Sequence, residues 1–95
     1  MLNKYKKIRL TGKLLRELNE KIYERDSCHC VICETWIEEG VKFHHEPLKS
    51  QGGQDIESNG VMLCNVCHNE RHFGKDTQDY KERCKEYLEG LYGTK

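Results

Sequence analysis

The chain has 95 residues, of which 34% are charged and only 36% are hydrophobic, with cysteine and tyrosine counted among the latter. That length fits one domain, and so polar a chain buries little apolar surface, so we expect a cross-link to support the fold. The N-terminus lacks the apolar run of a signal peptide, and no segment approaches the roughly 20 apolar residues of a membrane span. We therefore expect a soluble cytoplasmic protein whose six cysteines stay reduced.

Charge is balanced overall but unevenly distributed along the chain. Residues 1–25 contain eight Lys or Arg against three Glu, whereas residues 26–95 contain eight against thirteen acidic residues. The basic arm predicted over residues 1–10 is typical of a segment that contacts a phosphate backbone. A solvated tail would have the same composition, so both interpretations stay open.

Two packing helices are predicted to flank the centre of a single domain that spans residues 1–95. The first covers residues 11–25 with Thr11 as its N-cap, and the second covers residues 76–89 and contains Cys84, expected as a half-buried free thiol. Both have apolar residues at helical spacing and charged residues opposite. The apolar positions are Leu14, Leu15, Leu18, Ile22 and Tyr23 in the first helix, and Tyr80, Cys84, Tyr87 and Leu88 in the second.

The central segment, residues 26–73, reads as short strands and one helix. Residues 35–37 predict a short strand or turn that packs Trp36 in the core, and residues 41–43 alternate as a strand that leads into two histidines. Residues 46–58 form a long loop, which is usually functional in so small a domain. Residues 61–63 predict a second strand, followed by a helix that reaches Phe73 and stops at Gly74.

Two Cys-x-x-Cys motifs, Cys30–Cys33 and Cys64–Cys67, have the spacing of metal knuckles. Four thiolates select zinc, and a closed tetrahedral site of that kind supports the fold. Disulfides between the same cysteines are the alternative, which a reducing compartment disfavours. Cys28 and His29 are left over, and either could replace a ligand.

Four of the five histidines lie in two groups. His44 and His45 follow the strand predicted at residues 41–43, and His68 and His72 lie in the helix that follows the second cysteine motif. His68 and His72 are four residues apart, so on a helix both face one side, where they can converge with His44 on a second metal. Neighbours in a strand point to opposite sides, so His44 and His45 are expected to divide their roles. One would bind the metal, and the other would be free to accept a proton near neutral pH. Ordinary surface histidines are the alternative.

Three imidazoles leave coordination positions open on a metal, which distinguishes a catalytic site from a structural one. A divalent ion with open positions, next to a neutral imidazole and a helix N-terminus, is suited to phosphodiester hydrolysis. The residues therefore indicate one structural and one functional metal site in a small domain.

These residues form a pattern that resembles the HNH endonucleases, in particular small phage-type members with a four-cysteine zinc site. The resemblance covers Arg25 to His72, about half of the chain. It rests on Arg25-Asp26, Cys30-x-x-Cys33, His44-His45-x-Pro47, Ser50, Gly52-Gly53, Asn59, Cys64-x-x-Cys67-His68 and His72.

The resemblance implies a small α+β fold whose core is a ββα-metal motif, or His-Me finger, stapled by the four-cysteine zinc site and flanked by the two helices. It implies that His45 is the general base, that Asn59 orients it, and that the divalent ion is bound by His44, His68 and His72. Many members have Asp in place of His44, so the ion could be Mg²⁺, Mn²⁺, Ni²⁺ or Zn²⁺. Members usually have a large aliphatic residue where this chain has Gly60, which predicts weaker packing of that strand.

The function that the resemblance implies is metal-dependent hydrolysis of DNA phosphodiester bonds, with double-stranded DNA as substrate. It also implies an origin in a phage or its bacterial host, and phage packaging or DNA-processing proteins as partners. The alternative is a zinc-stabilised nucleic-acid-binding module without catalytic activity, which would lack a ligand or the base. No such residue is missing from the pattern, which favours the nuclease.

Overall fold

The computed structural model describes residues 7–93, so most of the predicted basic arm lies outside the described part of the chain. Within that part are α1 (Gly12–Arg25), β1 (His44–His45), β2 (Gly60–Val61), α2 (Asn65–Phe73) and α3 (Thr77–Tyr92), with single 3-10 turns at Lys49–Gln51 and Glu57–Asn59. This is the predicted small α+β fold, and β1, β2 and α2 follow each other in the ββα order. Between residues 7 and 93, no helix has both the length and the apolar character needed to cross a membrane.

Helix α1 supports the approach to β1 through one side chain. Thr11 occupies the N-cap position of α1 without a capping hydrogen bond from its side chain, and the helix buries Leu18 and Ile22. The side-chain amide of Asn19 donates to the Val41 carbonyl at 2.9 Å, and its oxygen accepts from the Phe43 amide at 2.8 Å. The backbone of residues 41–43 is therefore hydrogen-bonded to a side chain of α1 and does not form the predicted strand. Strand β1 covers only His44–His45.

The two short strands are antiparallel, with His44 opposite Val61 and His45 opposite Gly60. A Cβ atom at Gly60 would lie 2.6 Å from side-chain atoms of both Ile22 and Phe43. The space that a larger residue would occupy is thus already filled by these two core side chains. The weaker packing predicted from Gly60 was wrong, because the Phe43 ring replaces the missing side chain.

An ion pair between partly buried Arg25 and buried Asp26 joins the end of α1 to β2 and α3. Arg25 donates to both carboxylate oxygens of Asp26, at 2.8 and 3.0 Å, and to the Gly60 carbonyl at 2.6 Å. Asp26 accepts in turn from the Met62 amide at 2.8 Å and from the Tyr87 hydroxyl. Because both charges are paired and hydrogen-bonded, their burial is tolerated, and β2 is fixed between the two helices.

Two predicted burial states were wrong. Trp36 is 62% exposed and its neighbour Ile37 is 4% exposed. Adjacent residues in extended backbone face opposite sides, so only one of the two can enter the core. The Tyr23 hydroxyl donates a hydrogen bond to the Ile37 carbonyl at 2.7 Å, and the side chain that enters is that of Ile37. Cys84 is fully buried rather than half-buried, because α3 packs against α2. Helix α3 also continues to Tyr92, beyond its predicted end.

We expect Gly60→Ala to lower the free energy of unfolding of the zinc-loaded protein by about 1–3 kcal/mol, the usual cost of overpacking a core. Urea denaturation measures the change. The matched control is Gly90→Ala, since a Cβ at Gly90 in α3 meets no atom within 4 Å. That variant should be neutral or stabilised by about 0.5–1 kcal/mol. Equal stability of Gly60→Ala and the wild type would show that the site is not tightly packed.

Candidate active site

Four cysteine sulfurs, those of Cys30, Cys33, Cys64 and Cys67, all lie within 4.8 Å of one another. The first knuckle is a tight turn in which the Cys30 amide donates to the Thr35 carbonyl at 2.8 Å. In the second knuckle, Cys64 is the N-cap of α2, and its sulfur accepts from the Cys67 amide at 3.4 Å. All four are free thiols. Four mutually close thiols could bind a zinc ion, and they are arranged as a ligand set rather than as disulfide pairs.

The four thiols differ in how readily they lose a proton. Hydrogen bonding to Thr35, whose hydroxyl lies 3.2 Å from the Cys33 sulfur, lowers the pKa of Cys33 to about 6. Burial raises the pKa of Cys67 and of Cys64. Because zinc binds thiolates, uptake of the ion must release protons, chiefly from Cys64 and Cys67, whose pKa values are raised.

Three imidazoles form a second cluster, in which ligand nitrogens of His44, His68 and His72 lie within 4.8 Å of one another. The ring centroids are 5.3, 5.3 and 4.6 Å apart, and the rings meet edge to face. His68 and His72 lie one turn apart on the exposed face of α2, whereas His44 in β1 is buried. Convergent imidazole nitrogens with one open side fit a divalent transition ion.

The surroundings keep two of these histidines in the form that binds a metal. Burial, followed by the neighbouring rings of His44 and His72, lowers the pKa of His68. Burial, His44 and Arg71 lower the pKa of His72. Neutral imidazole is the ligand species, so protons compete less for His68 and His72 than they would for histidines of ordinary pKa.

A buried ion pair orients His44. Its Nε2 lies 2.9 Å from a carboxylate oxygen of Glu46, and Arg71 donates to both oxygens of Glu46 at 3.1 Å. Since this carboxylate accepts from Arg71, the Nε2–H of His44 donates to it, and Nδ1 is the nitrogen left for a metal. Such a carboxylate–histidine pair fixes the tautomer and the ring of a metal ligand.

Sequence reasoning missed Glu46 and Arg71, although two signals were available. Glu46 follows His44 by two residues, so in extended backbone both side chains would point to the same side. Arg71 follows Cys67 by four residues, so it shares the inward face of α2 that a zinc ligand must occupy.

His45 lies outside the cluster of three histidines. Its Nε2 lies 2.7 Å from Oδ1 of Asp55, a buried carboxylate of the long loop, and its ring packs on Phe43 with centroids 4.6 Å apart. Asp55 was also missed, since a loop residue without periodicity gives no burial signal. Burial acts to raise the pKa of Asp55, but hydrogen bonds from the Leu10 amide and from His45 outweigh it and lower that pKa.

Asn59 closes the loop that separates the two strands. Its side-chain oxygen accepts from the Gln54 amide at 2.8 Å, and its carbonyl accepts from the Glu46 amide at 3.0 Å. Neither Cys28 nor His29 belongs to a ligand cluster among the described residues. The ring of His29 instead contacts the Ser27 carbonyl.

We expect the protein to hold one tightly bound zinc ion at the four cysteines, and Cys67→Ser to lose that ion together with much of the helical structure. Replacement of zinc by Co²⁺ gives a direct measurement, because thiolate-to-cobalt absorption reports only the cysteine site. Circular dichroism follows the fold. The matched control is Cys28→Ser, which should keep both signals. A Cys67→Ser protein with an unchanged cobalt spectrum would rule out the four-cysteine site.

The comparison with protein families agrees with this geometry. A family model described as HNH endonuclease matches residues 27–74, which is half of the chain and contains both cysteine knuckles and the three clustered histidines. No curated protein matches the chain significantly. On the evidence of that match, the chain belongs to the HNH endonuclease family.

Proposed function

We propose that the protein is a metal-dependent DNA endonuclease in which His45 is the general base and His44, His68 and His72 bind one divalent ion. The observation that carries this proposal is the cluster of three imidazoles within 4.8 Å, next in sequence to a fourth imidazole that contacts a carboxylate. Membership in the family implies a nucleic acid substrate. Double-stranded DNA is the substrate that we propose.

A cleft beside His45 supports binding of a polyanion. It encloses about 700 Å³, and its walls include three basic side chains, Arg16, Lys42 and Lys49, and two acidic ones, Glu20 and Glu39. The basic residues come from α1, from the approach to β1 and from the loop. Lys and Arg side chains in such a cleft would contact phosphates and position the strand without reading its bases.

In the proposed reaction, a ring nitrogen of His45 accepts a proton from water while the water oxygen forms a bond to phosphorus. The bond from phosphorus to the 3′-oxygen breaks, and that oxygen takes a proton from solvent, which leaves 5′-phosphate and 3′-hydroxyl ends. A divalent ion, when bound, supplies positive charge that stabilises the phosphate and the leaving oxygen. Asn59 holds the loop opposite His45 and keeps the base oriented.

A zinc-stabilised nucleic-acid-binding module without catalysis is the second candidate. Three imidazoles can also bind a purely structural second metal. Binding of DNA without cleavage, under every divalent ion tried, would favour this candidate over the nuclease.

We expect His45→Ala to lower the rate of plasmid cleavage by about 10²–10⁴-fold, the usual contribution of a positioned base. The variant should keep its fold and zinc, because Asp55 retains its hydrogen bond from the Leu10 amide. The control is His29→Ala, which removes an exposed imidazole outside both clusters. Undiminished cleavage by His45→Ala would eliminate His45 as the base.

We expect His72→Ala to raise the Mn²⁺ concentration needed for half-maximal cleavage by at least about 10-fold, since even the loss of a residue that supports a ligand has that effect. Calorimetric titration with Mn²⁺ tests binding independently of activity. Asn69→Ala, a change at an exposed neighbour on α2, is the control. Equal Mn²⁺ affinity of His72→Ala and the wild type would exclude His72 as a ligand.

Three expectations about context stay predictions. They are the cytoplasmic location, the origin in a phage or its bacterial host, and partners among phage packaging or DNA-processing proteins. The contribution of the basic arm to DNA binding belongs with them, since residues 1–6 lie outside the described part of the chain.

A further inference from the structure

We propose that Asp55 is a positioning residue that fixes the tautomer of His45, so that Nδ1 is the nitrogen that accepts the proton from water. This inference rests on the proposed function, because it assigns a role to a residue that supports the base. Asp55 lies in the loop between β1 and β2 and is 5% exposed. Its carboxylate is the polar group that contacts the His45 ring.

The hydrogen bonds of Asp55 determine which ring nitrogen of His45 carries hydrogen. Oδ2 accepts from the Leu10 amide at 2.7 Å, and Oδ1 lies 2.7 Å from Nε2 of His45. An ionised carboxylate can only accept, so Nε2 must be the donor. In a neutral imidazole, Nδ1 is then without hydrogen and free to act as a base.

Hydrogen bonds connect Asp55 and its neighbour Gln54 to the stretch before α1 and to Asn59. The Asp55 amide donates to the Ile8 carbonyl at 3.0 Å, and the Ile8 amide donates to the side chain of Gln54 at 2.9 Å. The Gln54 amide donates to the side chain of Asn59 at 2.8 Å. Asn59 therefore acts on His45 through the residue pair Gln54–Asp55. The stretch before α1 contributes as well, so it is part of the site and more than a tail.

The substitution Asp55→Asn separates a positioning role from mere packing. Asn has one acceptor oxygen and one donor nitrogen, whereas both partners of Asp55, the Leu10 amide and Nε2–H of His45, are donors. If the Asn oxygen keeps the bond from Leu10, its NH₂ group faces Nε2, which must then accept. The hydrogen of His45 moves to Nδ1, and the base is lost although shape and size are preserved. The same change in a serine-protease triad lowers kcat by about 10⁴-fold.

The experiment combines ring ¹⁵N NMR of the zinc-loaded protein with cleavage kinetics of the same protein in Mn²⁺. In the wild type, we expect His45 to carry hydrogen on Nε2, and in Asp55→Asn on Nδ1. We expect kcat of Asp55→Asn to fall by about 10²–10⁴-fold, the share of a general base, with little change in KM for a DNA duplex. Asp76→Asn, the same change at an exposed position, should alter neither the spectrum nor the rate.

A double variant shows whether Asp55 acts only through His45. If it does, His45→Ala with Asp55→Asn should be no slower than His45→Ala alone. A further large loss in the double variant would overturn the proposal, as would full activity of Asp55→Asn. If Asp55→Asn does not fold, the wild-type spectrum decides, since hydrogen on Nδ1 there contradicts the proposal.

The NMR measurement also distinguishes failure of this inference from failure of the proposed function. A tautomer change in a protein that cleaves no DNA would support the role of Asp55 and reject the nuclease. An active nuclease whose His45 keeps the same tautomer in Asp55→Asn would support the function and reject the role.

Discussion

The convergence of four cysteine sulfurs is the constraint on which the rest of the structure depends. It joins the turn after α1 to the first residues of α2, and thirty residues separate the two knuckles in sequence. Cys64 caps α2 and Cys67 faces the core, so the rotation of α2 about its axis is determined there. With Cys67 inward, His68 and His72 must lie on the adjoining face, where β1 brings His44. A metal at the sulfurs would therefore contribute both stability and the geometry of the histidine cluster.

A second requirement is that every buried charge near the site has a partner. Asp26 is paired with Arg25, Glu46 with Arg71 and His44, and Asp55 with His45 and the Leu10 amide. In residues 7–93, no buried side-chain nitrogen or oxygen lacks a hydrogen-bond partner. Because an unpaired buried charge is costly, each network has one favourable arrangement, and the imidazoles at its edge have defined orientations. These paired charges therefore make the polar site rigid, although the apolar core of the domain is small.

The parts of the fold that could be predicted are those set by spacing along the chain. Helical periodicity indicated α1, paired Cys-x-x-Cys motifs indicated a common metal site, and a four-residue interval placed His68 beside His72. Contacts between distant segments were not predictable in this way. Trp36 was expected in the core, but the hydrogen bond of Ile37 to Tyr23 reverses the two faces. Asp55 was not recognised, since its burial depends on a loop that folds against the residues before α1.

The central claim is that one divalent ion sits among His44, His68 and His72 while His45 remains unligated beside it. Anomalous X-ray diffraction from crystals of the zinc-loaded protein soaked in Mn²⁺ tests this most directly, because the manganese signal locates the ion independently of activity. We predict one manganese peak within bonding distance of nitrogens of those three residues, with the ring of His45 directed to Asp55. A peak bonded to His45, or no peak among the three imidazoles, would contradict the assignment of both the ion and the base.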